Sequence, residues 1–438
     1  MIATASQLRA SAPPTGAGAY LLPNQITRRS GRSPLQKTCF RRQEDCYSHG
    51  RAYACSESLM KGITVSVDDG KLLLVGSIAR PEDGWTVEDV MRNSAEAVGP
   101  YVTMLPDGEI GDRSTWIQFI SRRVFPDHPD LITTSRHTVD DWKARGYGDL
   151  WRVTVPEGVD SITIDKIGYA DEAIESYEVF KKLRDEGVIP EGIRFMVALP
   201  LTESATRGFV GNARDFEILW EGLTGALAND VKAICDAIPH EDLAIQWDLA
   251  RETAAVEGVE FEFSDSDLKS LPQDPMERYC HALTQLSPAI PEDVWLGLHV
   301  CYGSLEHKEG ESPDGGHYTP IENVGVGVDM INQGVKACKR SVEFVHTPIQ
   351  FAKGLDPDHY RDLEKLDIGD ARVYLGLIDS SDGVEGAIAR AEVVRPFLSD
   401  FGLATACGWG RRPLSETVDS LLHLERDVAD KFWGAAVS

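Results

Sequence analysis

From Lys71 onward the chain alternates between short, nearly unbroken apolar runs and longer segments whose apolar residues recur every three or four positions. The runs predict strands over 72–78, 101–105, 193–199, 243–247, 294–300, 342–345, 373–378 and 403–406. A strand covered on both faces has no polar side to show, so it reads as a continuous apolar run, as in a parallel sheet. The periodic segments predict helices over 87–97, 171–184, 213–237, 275–286, 330–339, 357–366, 384–398 and 414–432. Eight strands separated by helices predict an α/β fold with a parallel sheet, and eight is the number that closes a single (β/α)8 TIM barrel. An open doubly wound sheet competes, but no Gly-x-Gly-x-x-Gly turn follows any strand. Two connections are unusually long. Residues 113–192 hold extra elements, including a possible hairpin around 151–164, and residues 304–325 are rich in Gly, Pro and charge, as expected of a surface lid.

The first 60 residues do not join this alternation. Residues 1–59 carry eight Lys or Arg against three acids, with stretches such as Arg28-Arg-Ser-Gly-Arg32, and show no apolar period. They read as a disordered basic extension, either a mitochondrial transit-like segment or an upstream extension with Met60 as the working start. The barrel is assigned to 61–438. Cys39, Cys46 and Cys55 lack tight metal spacing and receive no role.

Composition narrows the function. A formal charge of −26 argues against nucleic acid or an anionic membrane surface as a partner, since both require clustered positive charge. No window approaches the ~18 apolar residues of a spanning helix. Eight cysteines in 438 residues, without a signal-peptide pattern, fit a reducing compartment rather than a disulfide scaffold. The expected location is the cytoplasm, or the mitochondrion if the leading segment is a transit peptide. Nothing in the sequence specifies an oligomeric state.

The chemistry gathers where strands end. In Leu296-Gly-Leu-His-Val-Cys-Tyr-Gly303 an apolar strand closes on His299 and Cys301, which share a face because strand side chains alternate. An imidazole and a thiolate on one face are half of a tetrahedral zinc site, and Cys407 in Ala404-Thr-Ala-Cys-Gly-Trp-Gly410 is the best source of a third donor. The plain alternative is two buried cysteines and a satisfied core histidine. The other strand ends offer Gly76-Ser77, Asp107-Gly-Glu109, Gln246-Trp-Asp248, Glu343-Phe-Val-His346 and Asp379-Ser380. In a barrel these would meet at one rim, the end where such folds do their chemistry.

His-Val-Cys-Tyr, Asp-Gly-Glu, Gln-Trp-Asp and the late Cys-Gly resemble the C-terminal catalytic barrel of cobalamin-independent methionine synthase. That barrel belongs to a superfamily with uroporphyrinogen decarboxylase and zinc-dependent alkyl-thiol transferases. The resemblance runs from about Leu72 to about Arg412 as scattered motifs. It implies zinc held by His299, Cys301, Cys407 and, at the end of the next strand, Glu343. It also implies that Ser77, Glu109 and Asp248 bind the amino-acid part of a homocysteine-like thiol. The family's leaving-group histidine, in a Tyr-Asp-x-His-Ser stretch, is missing from Leu377-Ile-Asp-Ser-Ser-Asp382. Asp379 and, from the neighbouring strand, His346 are the catalytic candidates in its place. The family's second, folate-binding barrel is also lacking, so no folate is implied.

The activity expected is zinc-dependent transfer of a methyl or other alkyl group to a small thiol from an unidentified donor. A zinc-dependent lyase or hydrolase on the same barrel is the alternative, and a non-catalytic zinc scaffold is the third reading. Uroporphyrinogen decarboxylation is disfavoured, because arginines to grip a tetracarboxylate are not evident near the first strand.

Overall fold

The computed structural model describes residues 66–76, 78–80, 83–135, 151–258, 271, 273–303, 322–349, 351–412 and 415–434. The basic segment 1–60 and its three cysteines lie outside the described residues, as do Ser77 and residues 304–321 of the expected lid.

Ten strands form among the described residues: β1 (Leu72–Leu73), β2 (Met104–Pro106), β3 (Ile132–Ser135), β4 (Arg152–Thr154), β5 (Arg194–Pro200), β6 (Leu243–Leu249), β7 (Trp295–Val300), β8 (Phe344–Pro348), β9 (Arg372–Ile378) and β10 (Gly402–Thr405). Eight of them make one parallel sheet in the order β1-β10-β9-β8-β7-β6-β5-β2. Its two outer members, β1 and β2, are consecutive in the barrel, and the Lys71 N–H donates to the Tyr101 carbonyl at 2.8 Å, bringing the ends of the sheet together. The fold is a nearly closed (β/α)8 barrel.

The helices between strands start where side chains can satisfy their first N–H groups. Thr86 and Asp89 form a capping box at Val87–Val98, and Asn212 caps Ala213–Ala237. Asp274, followed by Pro275, caps Pro275–Leu286, and Thr417 caps Val418–Trp433. Their apolar stripes cover the outer face of the strands and build the larger core.

A second, smaller core fills the barrel. Leu73, Val75, Met104, Met196, Ala244, Phe344, Tyr374 and Ala404 form a cluster of their own. The interior is tightly filled: a Cβ on Gly297 would stand 2.1 Å from the Phe344 ring, so β7 and β8 can sit side by side there only with glycine. This plug closes one end and leaves the polar strand termini at the other.

The hairpin expected around 151–164 has a different partner. Arg152–Thr154 pairs antiparallel with Ile132–Ser135, upstream, and the residues after it run as irregular chain. Val153 N also donates to the Phe209 carbonyl at 2.8 Å, which ties this ribbon to the loop after β5.

Candidate metal centre

Register sets the first arm. In the β6–β7–β8 ladders, His299 stands beside Asp248 on one side and His346 on the other. The Cys301 N–H donates to the Leu249 carbonyl at 3.1 Å, so strand geometry persists past Val300 and keeps Cys301 on the face of His299. The second arm comes from β10. A register shift between Ala404 and Thr405 disturbs its pairing with β9, and the chain then turns through Cys407. Gly376 makes that turn possible, since a Cβ there would lie 2.9 Å from the Ala406 Cα and 3.0 Å from the Thr405 oxygen. Thr405 Oγ1 donates to the Cys407 carbonyl at 2.6 Å and fixes the turn.

The arms converge. One donor atom each from His299, Cys301 and Cys407 lies within 4.8 Å of the others, and the two sulfurs are 3.7 Å apart. A disulfide would need about 2 Å. Two sulfurs about 2.3 Å from one tetrahedral zinc would stand about 3.8 Å apart, so the sulfur spacing fits a zinc ion. Electrostatics agree. The partner sulfur of Cys407, and then burial, push the Cys301 thiol well above its usual range. Burial and then Glu109 push the Asp248 carboxyl up, with the Cys407 charge adding to it. Sulfurs and acids this close cannot all ionise unless a cation joins them. Burial pulls His299 well below its ordinary value and His346 down to about 3, so both rings are neutral ligand-type imidazoles.

Besides the three donors, the cleft is lined by Gly76, Trp116, Asp248, Ala250, Gly408 and Arg411. Gln246 Nε2 donates to Asp248 Oδ1 at 3.0 Å and to the Val75 carbonyl at 2.7 Å, orienting that carboxyl from below. Glu109 is buried close by, its Oε1 3.0 Å from where a Gly76 Cβ would be. Its φ of 38°, and the 60° of Trp116, belong to the left-handed region that side chains rarely adopt. The loop holds that shape because Asp107 Oδ1 accepts the Glu109 N–H at 2.9 Å, while Asp107 Oδ2 pairs with the buried Arg113 at 3.1 Å.

Three expected positions need correction. Glu343 is not with the other donors. It opens β8 at the barrel's far end, where it accepts from the Leu296 N–H at 2.6 Å and the Ser341 hydroxyl at 2.5 Å. The residue beside His299 on that strand is His346, which is fully buried and lies behind the His299 ring instead of facing the cleft. Asp379 caps a turn by accepting the Ser381 N–H at 2.8 Å, and it does not line the cleft. Ser77 lies outside the described residues, although its neighbour Gly76 lines the cleft. Trp116 and Arg411 were not singled out by the sequence; their nearest signal was that each follows a strand-end motif, Asp107-Gly-Glu109 and Cys407-Gly-Trp-Gly410.

No family model and no curated protein matches this chain. Solved structures do resemble it in fold. A B12-independent methionine synthase from Shewanella sp. W3-18-1, in complex with selenomethionine, is 15% identical with a TM-score of 0.48, over 79% of this chain and 86% of that one. A putative vitamin-B12 independent methionine synthase from Listeria monocytogenes is 16% identical with a TM-score of 0.45, over 79% and 87%. A methyltransferase from Methanosarcina mazei is 12% identical with a TM-score of 0.48, over 86% and 95%. The chemistry is therefore read from the site itself.

Proposed function

We propose that this chain is a zinc-dependent transferase that moves a methyl or other alkyl group onto a small thiol. The observation that carries the reading is the meeting of His299, Cys301 and Cys407 from two separate β-segments, with sulfurs at zinc spacing. Three protein donors leave a position for an exogenous ligand, the mark of catalytic rather than structural sites. The chemistry such an ion supplies when bound is stabilisation of a thiolate at neutral pH.

The chain's own residues do the rest. Asp248 and Glu109 offer a paired acidic grip for an ammonium group, and an ammonium between them relieves the repulsion that raises Asp248. A thiol that also carries an amine, homocysteine-like in size, would then have both ends held, its sulfur toward the cysteines. Trp116 and Ala250 provide apolar wall that excludes water beside the reacting carbon. Arg411 brings positive charge to the same cleft and would suit a carboxylate on the thiol or an anionic donor.

A second reading has one observation in its favour. Burial and then Glu109 raise the Asp248 carboxyl next to His299, a shift toward the protonated form that suits a general acid in a zinc-dependent hydrolase or lyase. Metal analysis of the purified protein should find about one zinc per chain, lost in Cys301→Ser and in Cys407→Ser. Absence of zinc removes both readings. In the Co2+-substituted protein, homocysteine should change the sulfur-to-metal absorption; an unchanged spectrum rejects thiol transfer in favour of the hydrolase or lyase.

A further inference from the structure

We propose that His346 is a positioning residue that, with the Thr405 carbonyl, fixes the His299 proton on Nδ1 and leaves the Nε2 lone pair free to bind a metal ion. The inference rests on the zinc reading and deepens it. His346 Nε2 is 3.0 Å from the Thr405 carbonyl, and His346 Nδ1 is 2.6 Å from His299 Nδ1. A carbonyl oxygen can only accept, so His346 Nε2 carries a hydrogen. Both rings are buried, at 0% and 2% exposure, where an imidazolium without an acid partner is costly; a neutral His346 thus presents a bare Nδ1. Two bare nitrogens cannot approach to 2.6 Å, so the hydrogen between the rings belongs to His299 Nδ1. The second nitrogen of His299 is then deprotonated by construction.

The relay is built into the sheet. His299 and His346 are register partners on β7 and β8, with ring centroids 4.7 Å apart at 44°. Thr405 serves both arms: its carbonyl receives the His346 hydrogen and its hydroxyl braces the Cys407 turn. One residue thereby sets the tautomer of the first donor and the placement of the third. This is the outer-shell role usually filled by a carboxylate or a single carbonyl behind a metal-binding histidine.

Three measurements on the full chain test this. In metal-free wild type, 15N NMR of the histidine rings, with the His299 signals assigned by their loss in His299→Gln, should show the proton on Nδ1. Chelator competition should show zinc affinity falling roughly 10- to 100-fold in His346→Leu. It should fall only a few-fold in His346→Gln, whose amide oxygen can accept from His299 while its N–H donates to Thr405. The Co2+ spectrum should keep its wild-type form in His346→Gln. A His299 proton on Nε2, or wild-type affinity in His346→Leu, overturns the proposal. So does an altered Co2+ spectrum in His346→Gln, which would make His346 a direct ligand. The tautomer result needs no metal: wild type that binds no zinc yet shows Nδ1 protonation sinks the zinc reading and leaves the relay standing.

Discussion

The two sides of the barrel mouth are built differently. On the sulfur side, His299 and His346 sit on regular β7 and β8, placed by ladder register, Cys301 directly follows β7, and Cys407 follows one register shift in β10. On the acid side, Glu109 and Trp116 sit on a connection where both, though not glycines, take left-handed φ, held by the buried Asp107–Arg113 pair and by Arg113 stacking 5.1 Å over Tyr169. The sulfur side takes its geometry from regular strand pairing, whereas the acid side crowds Asp248 against Glu109 in a buried site and carries local strain. A pleat is a cheap way to aim donors at a metal, whose geometry tolerates little error. A strained loop can instead shape itself around an organic substrate, at roughly 1–3 kcal/mol per unusual residue.

The largest effect should come from the sulfur side. Cys407→Ser should abolish zinc binding and lower transfer activity by several kcal/mol of transition-state stabilisation, on the order of a thousandfold, while circular dichroism stays that of the wild type. If metal content survives, the contrast between the two sides collapses. Next is the support of the acid side. Arg113→Met leaves Asp107 buried without its partner and should cost about 3–5 kcal/mol by urea unfolding. Zinc content per folded molecule should be unchanged.

Asp248→Asn separates binding from stability. Losing a charged partner for the ammonium should raise KM for the thiol about tenfold to a hundredfold. The pH effect runs the other way. Burial and Glu109 raise the Asp248 carboxyl, so the folded protein keeps a proton that the unfolded chain releases near pH ~4. Wild-type stability therefore carries no penalty from this group below that pH and falls as pH rises toward the folded value. Metal-free Asp248→Asn should gain on wild type in melting temperature as pH rises from about 4 to 7. The smallest effect belongs to Glu343→Gln. It should cost roughly 1 kcal/mol through the Leu296 and Ser341 hydrogen bonds and leave zinc stoichiometry intact. Loss of zinc in this variant would return Glu343 to the ligand set.

All eight barrel strands were legible because parallel strands buried on both faces leave no polar alternation to confuse. The His-x-Cys pair was legible for the same reason, since a two-residue spacing on a strand fixes a shared face. Glu343 entered through the resemblance, which implies a glutamate at the end of this strand, but it stands just before β8 at the opposite end. The expected strand over 342–345 ends at the last apolar residue, but β8 continues through the polar His346-Thr347 to Pro348, since His346 finds partners in His299 and Thr405. The helix expected from 330 begins instead at Gly325, where glycines in the first turn hid its start. The partner of Arg152–Thr154 could not be read locally, because a ribbon closing across a long connection leaves no turn signal beside it. The left-handed loop of Glu109 was equally silent: Arg113 is near enough in sequence to suggest an acid partner, but nothing local says that the pair is buried or that it bends the backbone at Glu109.

The join between β1 and β2 has a consequence for how evenly the mouth is held. Among the described residues, every other pair of adjacent staves is joined by ladder hydrogen bonds, but these two meet through the Lys71–Tyr101 contact below the rim. Both carry the loops opposite the cysteines. The mouth is thus least laced opposite the cysteines, while the side where the ion would sit is held by the β6–β7–β8 ladders.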